Sequence, residues 1–145
     1  MPIPPPEPAL LGQLKAFYRD LLHMPLDDIE QLYSQDIVFR DPLHQLRGTA
    51  ELHAYLHRLC SGLRSGRFEC LDQTSSAGNA FIKWNMHFCH PRLGSKTISV
   101  RGISHLHFAE RIHYHEDIYD LGAMLYEQIP LLRAPTRWLK RRLTT

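Results

Sequence analysis

The chain has 145 residues, of which 43% are hydrophobic and 22% are charged, and its net charge is +2. This length suits one domain that buries a core of its own, and the balanced composition argues against general disorder. So small a net charge also argues against a general nucleic-acid binder.

The first part of the chain predicts helices. Prolines crowd residues 1–8, a Pro-rich leader, and apolar residues then recur at helical spacing over 9–23. A second helix is predicted over 27–34, because its first residues are acidic and suit a helix N-terminus. After a short β run over 37–40, Thr49 resembles the N-cap of a third helix over 50–63.

The second half of the chain changes to the period of β-strands. Residues 67–74, 79–90, 96–108 and 111–120 alternate in polarity or are rich in β formers, and turn sequences separate them. Trp84 and Met86 share one apolar face, which should point towards the helices. Helices followed by a meander of strands predict an α+β fold with the helices on one face of an antiparallel sheet.

The end of the chain is basic. Residues 121–130 are apolar and predict a short helix ending at Pro130, whereas the C-terminal tail, 131–145, holds five cations and no acid. We expect the tail to pack Trp138 and Leu139 on the body and to leave a solvated basic face. The alternatives are peripheral contact with an anionic membrane and docking on a partner protein.

Three cysteines occur, and they form no CxxC motif. An odd number of cysteines in mostly apolar surroundings is typical of reduced thiols, so we expect a cytoplasmic protein. The chain has no run of 18 apolar residues and no signal-peptide pattern at residue 1. A single domain over 1–145 is therefore expected, with no internal repeat.

Four segments carry a family resemblance, namely residues 32–42 with the step Asp41-Pro42, and residues 47–52, 103–108 and 112–120. With the element order, they resemble the nuclear transport factor two-like superfamily, which includes ketosteroid isomerase and the SnoaL-type polyketide cyclases. The resemblance covers about residues 10–120. It implies a cone-shaped α+β fold, also called cystatin-like, with a curved antiparallel sheet on N-terminal helices and an apolar pocket. It also implies a homodimer formed through the sheet.

Ketosteroid isomerase is the nearest chemical template. In that enzyme the Asp of the Asp-Pro step is the general base, and a Tyr and a protonated Asp form the oxyanion hole. An ungapped match implies that Asp41 is the base, and it places Phe17, next to Tyr18, at the Tyr position and Ser104 at the acid position. Only one of the three groups is kept, so we do not expect steroid isomerisation.

Asp41 has a second interpretation. A carboxylate at the mouth of an apolar pocket can act as an acid or a base. An Asp before Pro42 can equally accept hydrogen bonds from its own loop and form a turn. Both interpretations stay open from the sequence.

The last predicted strand concentrates polar side chains. Alternation places four of them on one face: His113, His115, Asp117 and Tyr119. The template alignment turns this face inward, where His115 and Asp117 would form an oriented acid–base pair. Hydropathy favours the opposite face, which carries Ile112, Tyr114 and Ile118.

Four of the ten histidines lie on one predicted hairpin: His105, His107, His113 and His115. A three-residue turn over 109–111 would place all four on one face, where they could hold zinc. A two-residue turn would send the two pairs to opposite faces. Metal sites are not typical of the superfamily that the chain resembles, so we expect neither a metal nor a cofactor.

The leading hypothesis is a cofactor-independent acid–base enzyme of isomerase, cyclase, hydrolase or dehydratase type that acts on an apolar small molecule. The candidate catalytic residues are Asp41, His115 and Asp117. The candidate pocket residues are Phe17, Tyr18, Trp84, Met86, Ser104 and Tyr119. The alternative is a non-catalytic ligand-binding or accessory module of the same fold.

Overall fold

The computed structural model describes residues 8–124 and 130–144. Its helices are α1 (Ala9–Phe17), α2 (Ile29–Leu32), α3 (Thr49–Cys60), α4 (Leu121–Met124) and α5 (Pro130–Thr144), with 3-10 turns at Leu26–Asp28 and Pro91–Leu93. Its strands are β1 (Tyr33–Arg40), β2 (Gln45–Arg47), β3 (Ser65–Ser76), β4 (Asn79–Cys89), β5 (Ile98–Phe108) and β6 (Ile112–Tyr119). The four long strands of the second half are thus confirmed with small shifts at their ends, and the short strand β2 is an addition.

The six strands form one sheet in the order β2-β1-β6-β5-β4-β3. All neighbouring pairs are antiparallel except β1 and β6, which run parallel. The expected antiparallel sheet is therefore mixed. The reason is the crossover: the chain leaves β1, passes through α3 and the β3–β5 meander, and returns beside β1 in the same direction.

The inner face of the sheet carries the core. Helices α1, α2 and α3 cover it, and the most deeply buried apolar side chains come from both layers. Leu11, Leu52, Ile37, Leu106 and Ile112 have no exposed surface. Burial of such side chains is the main stabilising contribution to a fold of this size.

Two predicted helix boundaries were wrong for tertiary reasons. The first helix ends at Phe17 rather than 23, because the chain turns away and the Leu21 amide donates to the Gly66 carbonyl of β3 at 2.8 Å. Thr49 is the first residue of α3 and not its N-cap. That place belongs to Gly48, whose φ of 93° lies in the region that glycine tolerates best.

The C-terminal prediction was also wrong in its packing. Trp138 is 50% exposed and Leu139 is 57% exposed, so neither side chain is buried against the body. The inner face of the sheet is already packed against the N-terminal helices. Residues 125–129 of the predicted helix 121–130, and residues 1–7 of the leader, lie outside the described residues. In the parts of the chain that the structure describes, no helix is long and apolar enough to cross a membrane.

Candidate functional site

A cavity of about 210 Å³ opens between the end of α1, helix α3 and the inner face of the sheet. Most of its lining is apolar, with contributions from α3, β4 and the loop after β1. Its polar lining residues are Tyr18, Asp41, Tyr55, His90, Asp117 and Tyr119. A second cavity of about 30 Å³ lies beside it and shares Tyr18, Trp84 and Asp117 with it. A volume of that size suits one water molecule.

A β-bulge in β6 decides which side chains reach these cavities. Phe108 pairs with Ile112, but the next pair is His107 with Tyr114, so His113 is the extra residue. The bulge lets Ile112, before it, and His115, after it, both point inward, and both are buried. Before the bulge, Ile112 points inward as hydropathy favours. After the bulge, His115 points inward as the template alignment implies.

His115 links two hydroxyls to a carboxylate in one buried chain of hydrogen bonds. Its Nε2 lies 2.7 Å from Asp117 Oδ1, and its Nδ1 lies 2.7 Å from the Tyr33 hydroxyl. The Tyr33 hydroxyl lies 2.8 Å from that of Tyr18. Because Tyr18 and Asp117 both line the large cavity, both ends of this chain face the same space.

The direction of each hydrogen bond between Tyr18 and Asp117 follows from the groups at the two ends of this hydrogen-bonded series. An ionised carboxylate only accepts, so His115 Nε2 carries the proton that it donates to Asp117. When the imidazole is neutral, Nδ1 accepts from Tyr33, and Tyr33 accepts from Tyr18. When the imidazole is protonated, Nδ1 donates to Tyr33, and the Tyr33 proton is then free to be donated to Tyr18. The charge of His115 thus determines whether the Tyr18 hydroxyl can donate into the cavity.

A second set of donors positions Asp117. The Trp84 indole donates to Ser104 Oγ at 2.8 Å, and Ser104 Oγ donates to Asp117 Oδ1 at 2.5 Å. The bond from His115 also goes to Oδ1. Both of these donors therefore hold Oδ1, and neither contacts Oδ2. Ser104 itself lines only the small cavity.

Asp41 accepts the bonds of a turn-forming residue and also lines the large cavity. Its Oδ1 accepts the amides of Leu43 and His44 at 2.8 Å each, as a turn-forming Asp does. Its Oδ2 accepts the hydroxyl of Tyr55 from α3, and both side chains line the large cavity. Three donors therefore hold this carboxylate, two at Oδ1 and one at Oδ2.

The tyrosines of the site stay neutral near pH 7. Burial raises the pKa of Tyr18 and of Tyr33 far above the usual value for a phenol. Burial, followed by the neighbouring Asp41, does the same to the pKa of Tyr55. The pKa of Tyr119 rises because of burial and then because of the charges of Asp41 and Asp117. These groups are therefore hydrogen-bond donors and relays rather than phenolates.

The reactivity of the Cys60 thiol can be used to probe the large cavity. Burial raises the pKa of its thiol to about 11, and the residue is part of the cavity lining. At pH 8 only about one thiol in a thousand would be ionised, so N-ethylmaleimide should label Cys60 slowly, and the rate should rise about tenfold per pH unit. The exposed Cys70 should react first.

Mass spectrometry of the alkylated peptides would measure both rates. Equal labelling of Cys60 and Cys70 at pH 8 would contradict the burial of Cys60. An apolar compound that fills the cavity should slow the labelling of Cys60 and leave that of Cys70 unchanged.

The expectation for Phe17 was wrong. The side chain is 5% exposed and packs edge-on against Tyr18 and Tyr33 in the core, away from the described lining of both cavities. Helix α1 ends at Phe17, and Tyr18, its C-cap, carries the hydroxyl to the site. The other candidate pocket residues, Trp84, Met86 and Tyr119, do line the large cavity.

The remaining hairpin histidines lie on the outer face of the sheet. The turn does span 109–111, but the bulge places His105 opposite Glu116 and His107 opposite Tyr114, while His115 points inward. His113 is exposed. On the outer face the ring centres of His105 and His107 lie 4.7 Å apart and those of His107 and His113 lie 6.3 Å apart, whereas His115 is separated from them. No cluster of three or more potential metal ligands occurs within the described residues.

Sequence reasoning missed Tyr33. Residues 27–34 were predicted as helix, whereas Tyr33 begins β1 and is buried, as Ile37 and Phe39 are. Alternation alone would not have found it, because Gln35 is exposed and the pairing of this segment with β6 is irregular.

The comparisons with known proteins agree with this architecture. Residues 14–115, more than half of the chain, match the model of the SnoaL-like domain. The chain belongs to the SnoaL-like family. No curated protein sequence matches it.

Solved structures show the same fold at low sequence identity. A protein from Jannaschia sp. CCS1 described as a SnoaL-like polyketide cyclase has a TM-score of 0.75 at 11% identity, covering 93% of this chain and 99% of that one. One from Shewanella putrefaciens CN-32 with the same description has a TM-score of 0.70 at 16% identity, covering 82% and 95%. A protein from Catenulispora acidiphila with a ketosteroid isomerase-like fold, solved with trimethylamine, has a TM-score of 0.72 at 13% identity, covering 83% and 92%. This SnoaL-like chain therefore shares the α+β cone of the nuclear transport factor two-like superfamily.

Proposed function

We propose that this SnoaL-like protein is a cofactor-independent acid–base enzyme for an apolar small molecule. The observation that carries the proposal is the hydrogen-bonded chain from Tyr18 through Tyr33 and His115 to Asp117, whose two ends face one apolar cavity. A buried imidazole held between a carboxylate and a hydroxyl relay is an arrangement suited to proton transfer.

His115 is the proposed base, and the tyrosines bring protons to it. With a neutral imidazole, the Tyr18 hydroxyl donates inward to Tyr33 and turns a lone pair towards the cavity. An acidic ligand proton moves to Tyr18 as the Tyr18 proton moves to Tyr33 and the Tyr33 proton moves to Nδ1. The ligand is then an anion and His115 is a cation, which the Asp117 carboxylate stabilises.

When these hydrogen bonds run in the opposite direction, they supply the acid for the second half of the reaction. After protonation, Nδ1 donates to Tyr33, Tyr33 donates to Tyr18, and the Tyr18 hydroxyl donates into the cavity. Returning the proton to a different atom of the ligand gives isomerisation, and returning it to a leaving hydroxyl gives dehydration. Tyr119, whose raised pKa keeps it neutral, is the proposed donor to the negative charge that develops on the ligand.

Hydrogen–deuterium exchange tests the proton transfer without knowledge of the natural substrate. The bicyclic ketone 2-tetralone in D₂O, followed by NMR, is a suitable apolar probe with acidic hydrogens beside a carbonyl. We expect the wild-type protein to accelerate the exchange and Tyr18→Phe to lower the rate about 100-fold, within the range for general acid–base groups. The matched control is Tyr114→Phe on the outer face, whose hydroxyl contacts Glu116, and it should stay within about twofold of wild type.

Two results would redirect the proposal. An exchange rate that survives Tyr18→Phe but is lost in Asp41→Asn would make Asp41 the base. Binding of the ketone, seen as quenching of Trp84, without any exchange would favour the second candidate, a non-catalytic ligand-binding module. The observation in favour of that candidate is Asp41, because its three donors suit a structural carboxylate better than a base.

A further inference from the structure

Helix α5 presents an apolar side that the body does not cover. Trp138 and Leu139 are each about half exposed, at 50% and 57%, and Leu143 is 87% exposed. Leu139 and Leu143 are four residues apart and therefore lie on one side of the helix, and Trp138 lies about 100° around the helix from Leu139, at the edge of that side. Such exposed apolar surface at one helix is a mark of an interaction site.

The other side of α5 is positively charged. Lys140 and Arg141 lie three and four residues after Arg137, so the three cations share one side of the helix. All three are exposed, and Lys140 also pairs with Asp120 at 3.4 Å. Residues 131–145 hold five cations and no acid, whereas the rest of the chain has a net charge of −3. The helix also lies beyond residues 14–115, which match the SnoaL-like domain. Positive charge is thus concentrated on one element.

One arginine, Arg142, lies between Trp138 and Leu139 around the helix and is paired with the aromatic ring. The Arg142 guanidinium lies 4.9 Å from the centre of the Trp138 ring. Arginine and tryptophan are both side chains that can place an apolar part in lipid and a polar part at the headgroups. A basic residue close to the apolar side therefore does not prevent that side from entering a lipid surface.

We propose that α5 lies in the interface of an anionic lipid membrane, with Trp138, Leu139 and Leu143 among the acyl chains and the basic side at the headgroup phosphates. This role is separate from the proposed acid–base function, and either can fail without the other. A helix with Lys and Arg on one side and Trp and Leu on the other is the kind that binds in the plane of a membrane.

Charge complementarity selects lipid over other occupants. A nucleic acid would satisfy the cations but would leave the leucines in water. A second copy that packed its own α5 against this one would bring five further cations to the same helix, and like charges repel. An anionic membrane supplies both an apolar layer and negative charge to one helix.

Vesicle binding by the full chain tests this proposal. Vesicles of phosphatidylcholine with about one third phosphatidylglycerol should bind the protein, vesicles of phosphatidylcholine alone should bind it far less, and added salt should weaken binding. Each basic residue at an anionic surface contributes about a fivefold gain in affinity, so Arg137→Gln/Lys140→Gln/Arg141→Gln should weaken binding about 100-fold.

The matched control changes the same charge elsewhere. Lys83→Gln/Lys96→Gln/Arg111→Gln removes three exposed cations of the body and lowers the net charge from +2 to −1, as the helix variant does. It should bind within a few fold of wild type. Equal weakening by both triple variants would show a non-specific charge effect and would overturn the proposal.

The depth of the helix gives an independent readout. Trp138 should be quenched by lipids brominated on the acyl chain, whereas Trp84, which is 3% exposed, should not, and Trp138→Phe should remove the quenching. Absence of quenching in bound protein would overturn insertion of the apolar side. Failure to bind vesicles, together with self-association that Leu139→Ser abolishes, would identify a second copy as the occupant and overturn the membrane proposal.

Discussion

Replacing His115 with Ala is expected to lower the free energy of unfolding by about 3 kcal/mol. The imidazole is 3% exposed and packs 4.9 Å from the Phe39 ring and 5.8 Å from the Tyr33 ring, measured between ring centres. Its removal leaves a cavity and takes one partner from both Tyr33 and Asp117. A carboxylate that loses a buried partner is among the costlier losses that a core can suffer.

The control for this variant is two residues away. His113 is exposed at the β-bulge, so His113→Ala should change the free energy of unfolding by less than about 0.5 kcal/mol. Urea unfolding followed by circular dichroism would measure both variants. Added imidazole should bind the space left in His115→Ala and raise its unfolding midpoint. Equal stabilities of the two variants would show that the chain of hydrogen bonds contributes nothing to the fold.

Gly102→Ala should lower the free energy of unfolding nearly as much, because the new methyl group would overlap Trp84. That indole donates to Ser104, which in turn donates to Asp117. A Cβ at position 102 would lie 2.3 Å from the nearest atom of the Trp84 ring, far inside van der Waals contact. The indole would have to leave its place against Phe68 and lose its bond to Ser104. We expect a loss of about 2–3 kcal/mol and a reshaped cavity that no longer protects Cys60 from labelling.

The comparison variant is Gly12→Ala in α1. A Cβ at Gly12 meets nothing within 4 Å, and alanine favours a helix interior over glycine. This variant should gain about 0.5–1 kcal/mol, measured by the same urea experiment. A Gly102→Ala protein as stable as wild type, with unchanged Trp84 fluorescence, would contradict the expected overlap between a Cβ at position 102 and the Trp84 ring.

The sequence shows where the basic C-terminal tail lies and how its charges are arranged. It does not show what surrounds the side chains of the tail in the folded protein. Five cations without an acid over 131–145 predict an amphipathic basic helix. Whether Trp138 is buried depends on what surface remains for it, and the helices α1–α3 already cover the inner face of the sheet. A local pattern says which side of a helix is apolar but not whether a partner is present.

The family and most of the strands could be read from the amino-acid sequence, because alternation over long segments and the Asp41-Pro42 step are local signals. The same signals selected Asp41, His115 and Asp117, which the structure brings to adjoining cavities. The connections between these residues depend on the tertiary fold. One extra residue at His113 turns His115 inward, and the bond from Leu21 to Gly66 ends α1 so that Tyr18 meets Tyr33. Both depend on pairing between distant segments, and such pairing overrides local periodicity because it satisfies buried backbone groups that no local pattern records.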